Sequence, residues 1–186
     1  MTEVTERPTS GRAAVHRDAT LANQELDPRR WAALFCVVTA LFMVLLDVSI
    51  VNVAIPAIRA NLSANDADIQ FVVAGYGLSY AVMLITGGRL GDIFGRKRLF
   101  LLGMGGFVLA SALCGLAQSA LMLDLSRVLQ GLFAALMYPQ VLSIVQVTFP
   151  AQERARVFGF IGAVIGIATI MGPLVGGLII RDDITG

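Results

Sequence analysis

Five long apolar runs constrain this chain more than any other feature of its sequence. They cover roughly residues 31–55, 70–88, 99–117, 121–149 and 157–180. About 20 apolar residues, each rising 1.5 Å along a helix, cross the hydrocarbon core of a bilayer. All five runs reach that length, the second and third by a small margin. They are too long for barrel strands and lack a two-residue alternation, so helices are expected. The composition agrees, with 56% of residues hydrophobic and 15% charged, against about 45–50% and about 25% in an ordinary soluble domain. A chain of 186 residues cannot hide that excess in one core, because a domain this small still exposes much of its surface. The reading is an all-α, polytopic membrane helix bundle over residues 31–186, surrounded by a lipid bilayer.

Ahead of the first run, residues 1–30 are polar, rich in Thr, Arg, Ala and Glu, with no hydrophobic periodicity. They are expected to form a disordered cytoplasmic tail. They hold no short apolar core of the secretory-signal type, so the first span itself is expected to direct insertion. His16, in this tail, reads as a solvated side chain rather than a metal ligand. Orientation follows from the basic residues. Eleven of the fourteen lie on one side: the tail arginines, then Arg89, Arg96, Lys97, Arg98, Arg154 and Arg156. Only Arg59 and Arg181 lie on the other, and Arg127 falls inside a span. The positive-inside rule makes the richer side cytoplasmic. The amino terminus is then inside, and the chain stops outside after a fifth span. A net charge of +1 without a dominant basic block gives no sign of nucleic-acid binding.

Two charges lie within the apolar runs. Asp47 sits deep in the first and Arg127 about two turns into the fourth. Each costs about 2.5–3.5 kcal/mol at mid-bilayer, and such residues normally face a bundle interior or a wet cavity. Burial would bring Asp47 towards the range where a carboxylate exchanges protons near neutrality, and a neighbouring cation would oppose that shift. Asp47 is therefore either a proton carrier or a permanently satisfied hydrogen-bonding group. On an ideal helix it shares a face with Ala40, Met43 and Ala54, while Ser49 and Asn52 point the other way, towards neighbouring helices. In the fourth run Arg127, Gly131, Ala134 and Tyr138 form one stripe, with Gln130 beside it. That stripe reads as the lining of an aqueous path or as a polar seam between helices. Pro139, in mid-span, is expected to kink the helix or free a carbonyl. Cys36 and Cys114 lie at depths differing by roughly 15 Å, beyond the reach of a disulfide. Both read as small apolar packing residues.

The connection after the second span reads GGRLGDIFGRKRLFLLG from Gly87 to Gly103. Gly88, Gly91 and Gly95 would allow a short, sharp turn. Asp92 would cap a helix start or meet a helix amino terminus elsewhere, and Arg96, Lys97 and Arg98 would fix topology. The segment GRLGDIFGRK resembles the signature of the major facilitator superfamily between its second and third helices. Gly88, Leu90, Asp92, Gly95, Arg96 and Lys97 match it, while Gly91 replaces an Ala and Ile93 a basic residue. LDLSRVLQGLFAA resembles that family's fourth-helix motif through Leu123, Arg127, Gln130, Gly131 and Ala135. GFIGAVIGIATIMGPLVGG resembles its fifth-helix antiporter motif through Gly159, Gly172, Pro173, Gly176 and Gly177. Within it, Gly162 and Gly166 are spaced for close helix approach, and Pro173 invites bending. LLDVSIVNVAIP resembles the first-helix motif of the fourteen-span drug:proton antiporter branch, matching at Leu46, Asp47, Val51, Asn52, Val53, Ala54 and Pro56.

The resemblance implies the N-terminal half of a major facilitator fold, in which six-helix halves contain inverted three-helix repeats. It also implies export of drugs or other small amphiphiles from the cell membrane by proton antiport. Proton and substrate coupling would fall to Asp47, Arg127, Gln130 and Tyr138, and a cytoplasmic gate to Gly88, Asp92, Gly95, Arg96 and Lys97. The partners are a small-molecule substrate and protons, with a proton gradient as the energy source and no other cofactor. The family pathway needs two halves, so the alternative expectation is a truncated, non-transporting membrane fragment missing the C-terminal half. No metal cluster, nucleophile–base set or cofactor fingerprint stands out, so an enzyme is not expected. Gly103–Gly106 reads as an in-membrane glycine cluster rather than a dinucleotide loop.

Overall fold

The structure, a computed structural model, describes residues 30–185, with side chains described as far as Leu178. The expected tail before residue 30, including His16, lies outside the described residues. Five helices account for almost all of the described residues: α1 Arg30–Asn61, α2 Asp66–Phe94, α3 Arg96–Gly115, α4 Ala120–Thr148 and α5 Ala151–Thr185. Each contains a window long and apolar enough to cross a membrane. Large apolar side chains such as Leu78, Ile85, Leu109 and Ile170 stand exposed around the bundle. In water such a surface would aggregate, whereas in a bilayer it is the solvated face. The protein is a multi-pass membrane protein.

Local sequence sets the helix ends. Asn65 caps α2 by accepting from the Ala67 and Asp68 backbone N–H groups, and Asp68 accepts back from the Asn65 N–H. This reciprocal cap satisfies donors that a helix start otherwise leaves unpaired. Ser119 Oγ accepts from Met122 N–H at 3.3 Å to open α4. At the far end of α4, Arg154 donates to the Gln146 and Phe149 carbonyls at 2.7 and 3.0 Å. Cations are favoured at carbonyl-rich helix ends, so this arginine, read only as a topology signal, also closes α4.

The connection between α2 and α3 departs from expectation. Rather than a loop turning on Gly88, Gly91 and Gly95, α2 runs on to Phe94 and α3 starts at Arg96. Gly95 alone makes the break, with φ at +91°, a conformation open chiefly to glycine. Gly88 and Gly91 are helical, and Gly91 serves packing: a Cβ there would lie 2.1 Å from Gln140 Oε1.

α4 packs most extensively against α2 and α3, and α1 against α5, while α1 and α4 share a narrower interface. The apolar core fills the half of the bundle nearest the basic end, where Arg30, Arg96 and Arg154 lie. Val37, Leu41, Phe107, Met137, Val141 and Phe149 belong to it. At that end the Arg30 guanidinium pairs with Glu153 at 3.1 Å, and Trp31 meets Phe149 edge to face. Close helix crossings rest on glycine. Gly87 faces the Ala135 carbonyl oxygen, which a Cβ would approach to 2.9 Å. That carbonyl is the one left without a helical donor by Pro139, and α4 continues through the proline. Gly103 and Gly106 pack against Phe133 and Met137 within α3 and α4.

Candidate functional site

The two charges from the apolar runs meet. Arg127 Nη1 donates to Asp47 Oδ2 at 2.6 Å, joining α4 to α1 across the narrow interface. Gln130, one turn further along α4, donates from Nε2 to Asp47 Oδ1 at 2.7 Å. Both carboxylate oxygens are thus held from the same helix. An i,i+3 spacing places Arg127 and Gln130 on one face of α4, and α1 brings Asp47 to it. The guanidinium is 3% exposed and the Asp47 side chain 19%.

A second layer fixes the donors. Gln130 Oε1 accepts from Arg127 Nη1 at 2.6 Å and from Cys114 Sγ at 3.3 Å. Gln130 Nε2 also donates to Ser111 Oγ at 2.7 Å. Arg127 Nε donates to the Val72 carbonyl at 3.3 Å, and its guanidinium carbon lies 4.3 Å from the Tyr76 ring centre. Residues of α2 and α4 therefore brace one buried ion pair, and α3 braces it through Gln130. Desolvating two charges costs several kcal/mol per ion, and only good geometry with further hydrogen bonds offsets it. Here that support comes from the Gln130 amide, a backbone carbonyl and an aromatic face.

Taken singly, Ser111 and Tyr76 carry no signal of a site role in the sequence, and Cys114 reads there only as a packing residue. The i,i+3 spacing of Ser111 and Cys114 places them on one face of α3, a signal open to sequence reading. Their meeting with Gln130 depends on how α3 packs on α4. Cys114 thereby differs from the apolar packing role expected of it, and Cys36, expected to pack, is exposed.

Tyr138 stands apart from this cluster. Its ring meets Tyr80 edge to face at 6.5 Å, and Tyr80 stacks on Tyr76 at 6.3 Å. All three tyrosines of the chain thus form a ladder from the Arg127 guanidinium to Tyr138, which is 42% exposed. The stripe read as a lining is divided. Gly131 is packed against α2, where a Cβ would come within 2.1 Å of Ser79 Oγ and 2.4 Å of the Tyr76 carbonyl oxygen. Ala134 and Tyr138 instead border a small apolar pocket shared with Ala40 and Leu41.

The remaining residues of interest are placed by their helices. Asp92 neither caps a helix start nor meets a helix amino terminus among the described residues. It lies in the last turn of α2 and pairs with Arg96, in the first turn of α3, at 3.1 Å. An acid near a carbonyl-rich end and a base near an N–H-rich end each oppose the helix dipole, and their pairing offsets both. Lys97 is exposed beside them. Of the fifth-helix motif, Gly172 and Gly176 pack on α1, against Ser49 and against Ile50 and Val53. Gly159, Gly162, Gly166 and Gly177 have nothing near them in the described chain, and α5 continues through an exposed Pro173. Asn52, expected to bond a neighbouring helix, donates to the Val48 carbonyl of its own helix at 2.8 Å.

A family model described as the Major Facilitator Superfamily matches residues 37–184. The chain is 46% identical over 169 residues to a probable actinorhodin transporter of Streptomyces coelicolor, covering 91% of this chain and 29% of that protein. It is 44% identical to a tetracenomycin C resistance and export protein of Streptomyces glaucescens, over 82% of this chain and 28% of the relative. A puromycin resistance protein of Streptomyces alboniger is 42% identical, over 85% and 32% respectively. The chain thus spans under a third of the length of these relatives. With the helical bundle and the family match in agreement over residues 37–184, the chain belongs to the Major Facilitator Superfamily.

Proposed function

We infer that the protein works in export of antibiotics or other small amphiphilic molecules across the cell membrane, driven by proton antiport through alternating access. The observation that carries this reading is the buried Asp47–Arg127 pair with both carboxylate oxygens engaged from α4. The export roles named for the actinorhodin and tetracenomycin C relatives support the substrate class. The basic end is the cytoplasmic one by the positive-inside rule, with the amino terminus inside.

Protonation of Asp47 would remove the charge that ties α1 to α4. Breaking a buried pair costs about 3–5 kcal/mol. The gradient delivers about 2.3 kcal/mol per charge per 100 mV and roughly 1.4 kcal/mol per pH unit, so one proton falls in the range needed. With the tie released, the α1–α5 pair is free to rock against α2–α4, and Arg127 keeps Gln130, Val72 and Tyr76 as partners. The tyrosine ladder suits flat or cationic amphiphiles, which bind aromatic faces with about 0.5–2 kcal/mol per contact. Gly88, Asp92, Gly95, Arg96 and Lys97 would form a cytoplasmic gate, and Gly159, Gly172, Pro173, Gly176 and Gly177 the antiporter helix surface.

The test is efflux of actinorhodin, tetracenomycin C and puromycin from cells carrying the intact gene, with and without a protonophore. Asp47→Asn is expected to abolish gradient-driven efflux while membrane insertion stays intact. Efflux indifferent to both the substitution and the protonophore would remove the proton-coupling assignment.

A further inference from the structure

Away from the Asp47–Arg127 cluster, a groove of about 400 Å³ opens on the bundle where α2 meets α3. α2 supplies Met83, Leu90 and Phe94, α3 supplies Arg98 and Leu102, and the buried Leu136 of α4 stands behind them. Among the described residues that line it, Arg98 alone is charged. The walls have not collapsed on each other, since Phe94 is 60% and Leu102 55% exposed. The volume falls in the range of sites that hold small organic molecules, about 300–1,000 Å³.

The groove has the depth and polarity of one leaflet. Phe94 ends α2 and Arg98 lies in the first turn of α3, so its charged mouth is at the basic end of the bundle. From Met83 to Phe94 the α2 wall runs about 16 Å at 1.5 Å per residue, close to half of an about 30 Å hydrocarbon core. An arginine at such a depth lays its stem along apolar surface and keeps its head at the interface. The apolar walls therefore lie at the level of acyl chains and the guanidinium at the level of phosphates.

Charge at the mouth selects the occupant. Arg96 is neutralised by Asp92 at 3.1 Å, whereas among the described residues Arg98 has no ion-pair partner. Arg89 and Lys97, next in sequence to the lining residues Leu90 and Arg98, are also exposed and unpaired there. α3 opens at Gly95 without a side-chain cap, so the N–H groups of its first turn add to the positive field. A guanidinium binds phosphate oxygens bidentately. A cationic amphiphile would be repelled at this mouth, and a zwitterionic lipid would bring a cation of its own to it.

We propose that the groove binds one anionic glycerophospholipid from the leaflet at the basic end, with an acyl chain between α2 and α3 and its phosphate on Arg98. Such a lipid site goes beyond the export reading and is independent of proton coupling.

Native mass spectrometry of the intact gene product in mild detergent tests it, with phosphatidylglycerol and phosphatidylcholine of identical dioleoyl chains as probes. The first lipid retained is expected to be phosphatidylglycerol, favoured about 10-fold over phosphatidylcholine. Arg98→Gln should lower that preference about 5-fold, the effect of one basic residue beside anionic lipid, and Arg98→Lys should keep most of it. Arg89→Gln, outside the groove, should change it less. Leu102→Trp, at an exposed position, fills the groove and should lower retention of both lipids with the thermal midpoint unchanged. Excess glycerol phosphate, which lacks a chain, should not displace the lipid. Equal retention of the two lipids by the wild type, or a preference unmoved by Arg98→Gln, overturns the site. Equal losses in Arg89→Gln and Arg98→Gln would mean a diffuse basic surface, and displacement by glycerol phosphate a bare anion site; either overturns it. Retention unmoved by Leu102→Trp would put the lipid elsewhere, and no retained lipid would mean a groove covered by protein, and both outcomes sink the assignment.

Discussion

Replacing Asp47 by Asn and Arg127 by Met, singly and together, probes whether the buried pair acts as one unit. Asp47→Asn keeps shape but exchanges the ion pair with Arg127 for a hydrogen bond to a neutral amide oxygen, and sets an amide NH2 against the Gln130 Nε2 donor. It leaves a guanidinium that is 3% exposed without its counter-ion. Breaking a buried pair outright costs about 3–5 kcal/mol, and the surviving Asn carbonyl recovers part, so a loss of about 2–3 kcal/mol is expected. Arg127→Met strands a carboxylate that keeps only Gln130 Nε2, for a loss of about 3 kcal/mol. The double variant has no stranded charge and should be no less stable than either single one. The coupling energy is then at least about 3 kcal/mol. Trp31 is the single tryptophan and sits against Phe149, so its fluorescence reports unfolding as denaturing detergent is titrated into a mild one. Single losses that add to within about 0.5 kcal/mol in the double variant would refute the view that these charges are held by each other.

Three further outcomes follow from the packing. Gly131→Ala should lower stability by about 1–3 kcal/mol, because the added methyl meets a backbone carbonyl of α2 at 2.4 Å; Gly162→Ala, facing open space, should stay within about 0.5 kcal/mol of wild type in the same titration. Gly95→Ala places a side chain at φ +91° and should cost about 1–3 kcal/mol, read as a lower midpoint of thermal unfolding. Glu153→Gln should weaken the Arg30 contact by no more than about 1 kcal/mol, with a salt-dependent loss because the pair is partly exposed; the Trp31 emission, measured at low and high ionic strength, checks it.

Much of the architecture is written along the chain because a bilayer leaves few alternatives. A run of apolar residues as long as 31–55 has to satisfy its backbone internally, so it is helical wherever it sits. Asn65 and Ser119 mark helix starts by chemistry that acts over a few residues. Asp47, Arg127 and Gln130 stood out as costly polar groups in apolar runs, and spacing along α4 already placed the last two on one face.

What the sequence could not determine is which faces meet. Gly88 and Gly91 look like turn formers in isolation, yet α2 passes through both, and at Gly91 the missing side chain leaves room for Gln140 of α4. Tyr138 shares a stripe with Arg127 by periodicity, yet Gly131, between them, is buried against α2 and divides it. Ser111 and Cys114 carry no mark of function until α3 lies on α4 and brings them to Gln130. Asp124 reads as one more residue at a helix start until its oxygen is found buried without a donor. Spans, caps and the unusual charges are properties of local chain and solvent, so the sequence alone determined them. Partnership across helices depends on the relative rotation and depth of each pair, and only the tertiary structure decided it.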